Sequence, residues 1–473
     1  MNENLAALLP ELALAAAAVL GLLAGSWLPR RRQWAVAVLA AAACAAGLTA
    51  TAVTMATDSR QTVFSHAFAV DTATNAGRLI VLGALLLVIA MSVETVRGHR
   101  RETEYWVLLL LTGLGTLALT GANDLLTLFA AYLLASVPAY ALAAFAKDAR
   151  GTEAALKYYL MGALTGTVML AGTALLHGAG HATLYRALRT ALPQAPYGLV
   201  AVGLVAVLAG LLFKAGAVPA HFWVPDVTDG TPSPVAAYVT TLPKIGGLIA
   251  GYRLLHQALP ETDVNWPLLL AVLAAVTMTL GNLAAFFQTS VKRLLAYSTI
   301  SQVGYLLMAL AVATRTDLAQ PALLYYLAAY AATNLGAFAV VTELPAARTL
   351  DDYRGLARRR PGLAAVLVVC LLGMVGTPPT GVFLGKLQVF SAAVDGGYSW
   401  LAALAVANTV ASLFYYLRWL SPVFTTTDAA AADTHAVLGR WAAATAGTAA
   451  AVSLLLGLAA GAVLPFATGS LLP

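Results

Sequence analysis

The run Leu211-Leu212-Phe213-Lys214-Ala215-Gly216-Ala217-Val218-Pro219-Ala220-His221-Phe222-Trp223-Val224-Pro225-Asp226 decides how the chain is read. It closes a long apolar segment, places Lys214 inside that segment, and breaks it at Gly216 and Pro219. The next apolar segment carries Lys244. A lysine at the centre of a membrane helix costs roughly 2.5–3.5 kcal/mol to insert on translocon scales. Irregular backbone at that depth is tolerated only inside protein or along a wet cavity. Two lysines so close to such a break require a reason.

Composition supplies the setting. The 473 residues are 60% hydrophobic and 10% charged, with a mean hydropathy of +0.81. Soluble chains average about 25% charged residues, so this is the composition of a multi-pass membrane protein. At about 34 residues per span and loop, the length gives roughly fourteen helices of about 20 apolar residues each. The runs are continuous and rich in Ala and Leu rather than alternating, which excludes a transmembrane β-barrel. The net charge of +6 comes from arginines clustered in short loops, which set membrane topology and do not point to nucleic acid. Cys44 and Cys370 both fall in apolar spans, so neither a disulfide framework nor a thiolate metal site is implied. With the histidines scattered along the chain, no metal or redox cofactor is expected to be bound by this chain. The N-terminus lacks a basic region before its first apolar run, which reads as a retained span rather than a signal peptide.

Spans one (about 5–28) and two (about 33–53) flank Arg30-Arg31-Arg32. A polar loop with Arg60 and His66 leads to span three (about 77–96), and Arg97, Arg100 and Arg101 precede span four (about 104–120). Span five (about 124–146) follows the uncharged-to-acidic link Gly121-Ala122-Asn123-Asp124; Lys147 and Arg150 precede span six (about 153–177). The mixed segment 178–196 reads as interfacial. Span seven is the broken run, and span eight starts at Pro232-Ser233-Pro234. Spans nine (about 266–288) and ten (about 293–313) flank Lys292-Arg293, and span eleven (about 320–343) precedes the most basic loop, Arg348 to Arg360. Span twelve (about 362–391) is interrupted by Gly376-Thr377-Pro378-Pro379-Thr380-Gly381, with Lys386 just beyond; spans thirteen (about 397–421) and fourteen (about 437–466) finish the chain. The alternation of basic loops places those loops in the cytoplasm and both termini outside.

Spans seven and twelve are both broken by Gly and Pro and lie five spans apart. Five is odd, so two five-span units have opposite orientations in the membrane, the pattern of an inverted-repeat transporter. The expected organisation is all-α: an N-terminal three-helix segment (1–103), a first inverted repeat of spans 4–8 (104–257), a second of spans 9–13 (258–421) and a C-terminal helix (422–473) within one membrane domain.

Lys214, Lys244 and Lys386 are the lysines placed within the hydrocarbon. Burial favours a neutral amine over an ammonium, which suits a group that takes up and releases protons. The alternative is that they snorkel to an interface, as most lysines near helix ends do. Lys157 follows Glu153 by four residues and reads as an ion pair at a helix end. His221, just after the break, is either a proton relay or a structural histidine. Pro243 removes an N–H and frees the carbonyl of Val239, which offers Lys244 an acceptor. Ser298, Thr299, Ser301 and Gln302 form a polar cluster in span ten that serves either a water path or helix–helix hydrogen bonding. Carboxylates are few: Glu11 lies within span one, and Glu94, Asp124, Glu153 and Glu343 lie at span ends, with none in the middle of spans four to eight.

These motifs carry a resemblance that runs from about Glu104 to Arg418. It rests on Ala122-Asn123-Asp124-Leu125-Leu126-Thr127-Leu128, Glu153-Ala154-Ala155-Leu156-Lys157-Tyr158-Tyr159, and Phe213 to Pro219 with His221-Phe222-Trp223 and Pro225-Asp226-Val227. It continues through Ser290-Val291-Lys292-Arg293-Leu294-Leu295-Ala296-Tyr297-Ser298, Asp351-Asp352-Tyr353-Arg354-Gly355-Leu356, Pro378-Pro379-Thr380-Gly381 and Gly385-Lys386. The chain resembles the antiporter-like membrane subunits of bacterial NADH-quinone oxidoreductase (respiratory complex I), and the Asp351–Leu356 element favours the subunit N family over its L and M relatives.

The resemblance implies fourteen helices with inverted repeats over spans 4–8 and 9–13. It implies proton translocation coupled to quinone reduction elsewhere in the complex, with Lys214, Lys244 and Lys386 as the proton-transfer lysines. NADH, FMN, iron–sulfur clusters and quinone are then expected in partner subunits. Those partners are the antiporter-like M and L, the small K, J and A, and H, in a bacterial inner membrane. Two positions depart from the family pattern. The span-five Glu-Leu-Leu-Ser-Leu-Pro is here Leu133-Leu134-Ala135-Ser136-Val137-Pro138, so Leu133 stands where the glutamate that pairs with the span-seven lysine is expected; the span-ten His falls on Gln302. The alternatives are a pumping-impaired structural or assembly paralogue, an Mrp-type cation/proton antiporter subunit, or a membrane hydrogenase subunit, since one fold serves all of these.

Overall fold

The computed structural model describes residues 4–425 and 439–472. Val437 and Leu438, the first residues assigned to span fourteen, lie outside the described residues. The helices are α1 (Leu9–Trp27), α2 (Trp34–Ala56), α3 (Thr72–Val96), α4 (Glu102–Gly121), α5 (Leu125–Ala143), α6 (Ala149–Gly180), the short α7 (Tyr185–Ala191), α8 (Tyr197–Ala215), α9 (Trp223–Gly230) and α10 (Ser233–Ala258). They continue with α11 (Trp266–Ala285), α12 (Val291–Ala311), α13 (Ala319–Glu343), the one-turn α14 (Leu356–Arg359), α15 (Pro361–Val375), α16 (Gly381–Asp395), α17 (Ser399–Phe424), α18 (Arg440–Leu458) and α19 (Ala460–Val463). Twelve of these segments are long and apolar enough to cross a membrane. Together with α10, whose run is diluted by Lys244, Arg253 and threonines, and the broken pair α15–α16, they give fourteen crossings among the described residues.

The loop after span two is not irregular. Strands β1 (Gln61–Val63) and β2 (Phe68–Val70) pair antiparallel, Gln61 opposite Val70, and Thr62 Oγ1 and His66 Nδ1 close the turn at 2.7 Å. Carboxylates and a serine at the span ends act as N-caps. Asp71 accepts from Thr74 N, Asp124 from Leu126 N and Thr127 N, Asp148 from Gly151 N, and Ser290 from Arg293 N. Each satisfies donors that the first turn leaves open.

Three helices form the centre. Every residue of α10 from Pro234 to Leu255 is buried, and α12 and α13 are buried almost throughout. A helix buried on all faces has no amphipathic stripe to keep apolar, so its polar residues face neighbouring helices instead of solvent.

The repeat is visible as repeated contacts. A Cβ on Gly115 of α4 would lie 2.2 Å from Ala135 N of α5, and a Cβ on Gly281 of α11 would lie 2.5 Å from Ser301 N of α12. Backbones touch at both places because only glycine permits it. The second pair follows the first by 166 residues at both positions. The breaks correspond as well. α8 ends at Gly216 (φ 77°) and α15 at Gly376 (φ 91°), each in the left-handed conformation. The fold is thus an all-α membrane bundle with two inverted five-helix repeats and broken spans seven and twelve.

Two buried ion pairs tie the bundle at the end opposite the arginine-rich loops. Arg78 of α3 grips Glu11 through Nε and Nη2, both at 2.7 Å. Arg253 of α10 grips Asp71 through Nη1 and Nη2 at 2.8 and 2.7 Å, both side chains fully buried. Asp71 also accepts from Leu472 N, so the last described residues are fastened to the same carboxylate. Burial alone raises the Asp71 carboxyl, but the Arg253 guanidinium and the Thr74 and Leu472 amides hold it below the usual range.

Candidate proton-transfer site

All three lysines singled out in the sequence are buried, so none snorkels within this chain. Each meets an uncharged oxygen and an aromatic ring. Lys214, one residue before the end of α8, donates to Ser136 Oγ at 2.6 Å and lies 5.2 Å from the centre of the Tyr132 ring. Lys244 donates to the carbonyl of Ala215 at 2.7 Å and faces Trp223 at 6.0 Å. Lys386 donates to the carbonyl of Val375 at 2.9 Å, contacts Thr409 Oγ1 at 3.4 Å and faces Tyr305 at 4.3 Å. A ring face attracts a cation through its quadrupole, so hydroxyl or carbonyl plus ring replaces a counter-ion. None of the nine salt bridges among the described residues involves these lysines.

The Val239 carbonyl is not the acceptor found for Lys244. The end of α8 offers Ala215 O instead, because the last carbonyls of a helix have no partner within it. Leu133 is 41% exposed on the outer side of α5, whereas Ser136, 1% exposed, is the α5 residue that reaches Lys214. Lys157 pairs with Glu153 as expected and also with Asp226, both at 2.7 Å, and Asp226 pairs in turn with Arg293.

His221 lies in the break, 5% exposed, its ring 4.3 Å from that of Phe222. Among the described residues it makes no hydrogen bond to any of the lysines. His177 and His181 stand four residues apart, a spacing passed over in the sequence; both are exposed, and His181 is already the left-handed cap of α6. No cluster of three metal-ligating side chains occurs among the described residues.

Between the two breaks runs a polar seam built mostly on α10, α12 and α13. Asn334 Nδ2 donates to Thr240 and Thr241 at 3.2 and 2.8 Å, and Tyr330 donates to the carbonyl of Thr240 at 2.8 Å. Thr299 meets Tyr330 at 3.0 Å, and Ser298 meets Tyr416. Gln302 accepts from Tyr326 and donates to the carbonyl of Met374 at 2.9 Å, beside Val375 and hence beside Lys386. Ser298, Thr299 and Gln302 therefore bind helices together. Tyr326, Tyr330 and Asn334 were missed in the sequence, although their spacing of four marks one polar stripe along an otherwise apolar helix.

At the arginine-rich end, a cavity of about 760 Å³ opens among the loops, with Asp148, Arg150, Asp229, Ser233, Lys292 and Arg348 in its wall. Asp229 accepts from Ser290 at 2.7 Å and Lys292 donates to Thr231 O at 2.5 Å. The cavity reaches the first turn of α10, the helix of Lys244.

Comparison with known proteins places this geometry. The family model for the membrane part of NADH:quinone oxidoreductase and Mrp antiporters matches residues 122–412. Subunit N 1 of NADH-quinone oxidoreductase from Streptomyces griseus is 58% identical over 466 residues, covering 98% of each chain. The chain belongs to the subunit N family of NADH-quinone oxidoreductase. A chain in the structure of respiratory complex I from Thermus thermophilus with bound aureothin superposes with a TM-score of 0.84 at 32% identity, covering 98% of this chain and 100% of that one. The fold is shared more widely: a chain of the Mrp complex from Dietzia sp. DQ12-45-1b superposes with a TM-score of 0.86 at 22% identity, covering 98% and 96%.

Proposed function

We propose that the chain is a proton-translocating membrane subunit of a complex I type NADH-quinone oxidoreductase. Lys214, Lys244 and Lys386 carry the proton, and the Thr240–Asn334–Tyr330–Thr299–Gln302 seam connects them. The observation that carries this reading is the placing of three buried lysines, none salt-bridged, at two helix breaks, with the hydroxyls and amides of α10, α12 and α13 lying between those breaks. Amines held by neutral groups change protonation state without leaving a carboxylate stranded in a low-dielectric interior.

The arginine-rich face is cytoplasmic and both termini lie outside, in a bacterial inner membrane. The cytoplasmic cavity admits water toward α10. Segments 104–257 and 258–421 act as the two repeats between 1–103 and 422–473. The partners are the M, L, K, J, A and H subunits, and NADH, FMN, iron–sulfur clusters and quinone belong to partner subunits. The Ser136 hydroxyl and Tyr132 ring on Lys214 favour this reading over a pumping-impaired paralogue, because the amine is satisfied without a carboxylate at position 133.

The test is Lys214→Met and Lys386→Met in the native complex, with proton uptake and quinone reduction measured on the same vesicles. Protons moved per quinone reduced should fall. Unchanged coupling in assembled complexes would overturn the proposal, and co-purification with small antiporter or hydrogenase subunits instead of NADH dehydrogenase subunits would reassign the complex.

A further inference from the structure

The two broken helices end alike. At α8, Gly216 N bonds the carbonyls of Leu212 and Phe213 and Ala217 N that of Leu212; at α15, Gly376 N bonds those of Leu372 and Gly373 and Thr377 N that of Leu372. A carbonyl just before the last is also occupied in each, though not the corresponding one: Phe213 O, two residues before the end of α8, by Trp223 Nε1 at 3.2 Å, and Met374 O, one residue before the end of α15, by Gln302 Nε2. The last helical carbonyl of each, Ala215 O and Val375 O, is met by a lysine amine. The end of a half-helix carries the negative pole of its dipole, which favours a cation there.

We propose that Gly216 and Gly376 are positioning residues that leave these last carbonyls open to the ammonium groups of Lys244 and Lys386, so that helix ends, not carboxylates, hold two of the three lysines. This rests on reading the lysines as proton carriers. A Cβ on Gly216 would lie 3.0 Å from Lys244 Nζ and 2.8 Å from Val224 Cγ2; one on Gly376 would lie 3.0 Å from Lys386 Cδ. The two cradles differ in which segment supplies the lysine. Lys244 comes from the following span, whereas Lys386 folds back from the second half of its own broken span. Glycine commonly ends helices for conformational reasons alone, and Gly98 gives the comparison: it has φ 76°, and a Cβ there would meet nothing within 4 Å.

The experiment uses the assembled complex carrying Gly216→Asn, Gly376→Asn or Gly98→Asn. Asparagine tolerates the left-handed conformation but adds the obstructing Cβ. Assembly, quinone reduction, and proton transport per quinone across a pH series are read for each. Gly98→Asn should match the native complex. Gly216→Asn and Gly376→Asn should assemble, transport several-fold less, and lose transport at a pH lower by about 0.5–1 unit, the size of a helix-end effect on a cation. Native transport and pH profile in both would overturn the proposal. If Gly216→Asn blocks assembly, Gly216→Asn with Lys244→Met and Val224→Ala should restore it, since both crowded atoms are then removed; failure to restore would also overturn the proposal. Native transport in Lys244→Met alone would instead sink the reading of that lysine as a proton carrier.

Discussion

Ser136→Ala tests whether the hydroxyl on α5 stands in for the expected glutamate. In the structure Ser136 Oγ accepts from Lys214 at 2.6 Å and donates to the carbonyl of Tyr132 at 2.6 Å, so the amine is tied through one hydroxyl to the α5 backbone. Removing that hydroxyl leaves the buried amine facing the Tyr132 ring, 5.2 Å away, in place of a hydrogen-bond acceptor. A hydrogen bond involving a charged group is worth about 1.5–3 kcal/mol. At 1.36 kcal/mol per decade this is about a 10- to 150-fold change in the rate or equilibrium of any step in which Lys214 is charged. The assay is proton uptake against quinone reduction in inverted membrane vesicles, with assembly checked on native gels. Protons per quinone should drop in Ser136→Ala and recover in Ser136→Thr, which keeps a hydroxyl at the same carbon. Coupling that is native in Ser136→Ala, at native assembly, refutes the reasoning.

Three other outcomes are expected. Leu133→Glu should leave the proton yield unchanged, because position 133 is turned to the outer side of α5 and Lys214 is already bonded to Ser136; the same vesicle assay reads it. Gln302→Leu should lower coupling by removing the bond to Met374 O beside Lys386, at a cost of about 1–3 kcal/mol for the unpaired partner, while Gln302→His, which keeps a donor, should retain most of it. Asp71→Asn should lower the thermal inactivation temperature of the complex, since breaking a buried pair costs about 3–5 kcal/mol. The acid limb follows from the same carboxylate: its pKa is depressed in the fold, so its stabilisation is complete above the unfolded value of about 3.9 and is lost as pH falls through the lower folded value. Asp71→Asn should therefore flatten that part of the stability–pH curve, measured by inactivation half-life.

Much of the fold was legible because membrane insertion makes each span a long apolar word, and because Gly and Pro inside such a word admit few meanings. Fourteen crossings, both breaks and all three buried lysines follow from that. The lysines' partners were harder to read. Ser136 looks like an ordinary small residue at a helix contact, and its role depends on α5 and α8 meeting across 78 positions of sequence. Carbonyl acceptors are invisible in sequence for a simpler reason: every residue has one. Pro243 pointed to the Val239 carbonyl by local logic, yet a helix end in another span supplied the acceptor. Arg78 and Arg253 are less conspicuous than the lysines because they lie near span ends, although the same cost of burying charge applies to them, and each found a carboxylate at the end of the bundle opposite the arginine-rich loops. The β-hairpin was unreadable because its strands are three residues long.

One of the two departures from the family pattern, Gln302, falls opposite the serine that holds Lys214 once the repeats are aligned. Ser136 and Gln302 are 166 residues apart, the same offset as Gly115 to Gly281 and Ala135 to Ser301. They occupy one structural position, where the second helix of a repeat touches the broken fourth. Lys214 and Met374 likewise stand two residues before Gly216 and Gly376. The contact Ser136–Lys214 is therefore repeated as Gln302–Met374, with side chain to side chain in the first repeat and side chain to carbonyl in the second. In the first repeat the amine precedes the break and needs an acceptor, which a serine hydroxyl supplies. In the second the amine follows the break and already has Val375 O, so the same position is free to brace the half-helix through an amide donor. A scaffold that fixes this helix contact twice lets its chemistry differ between the repeats.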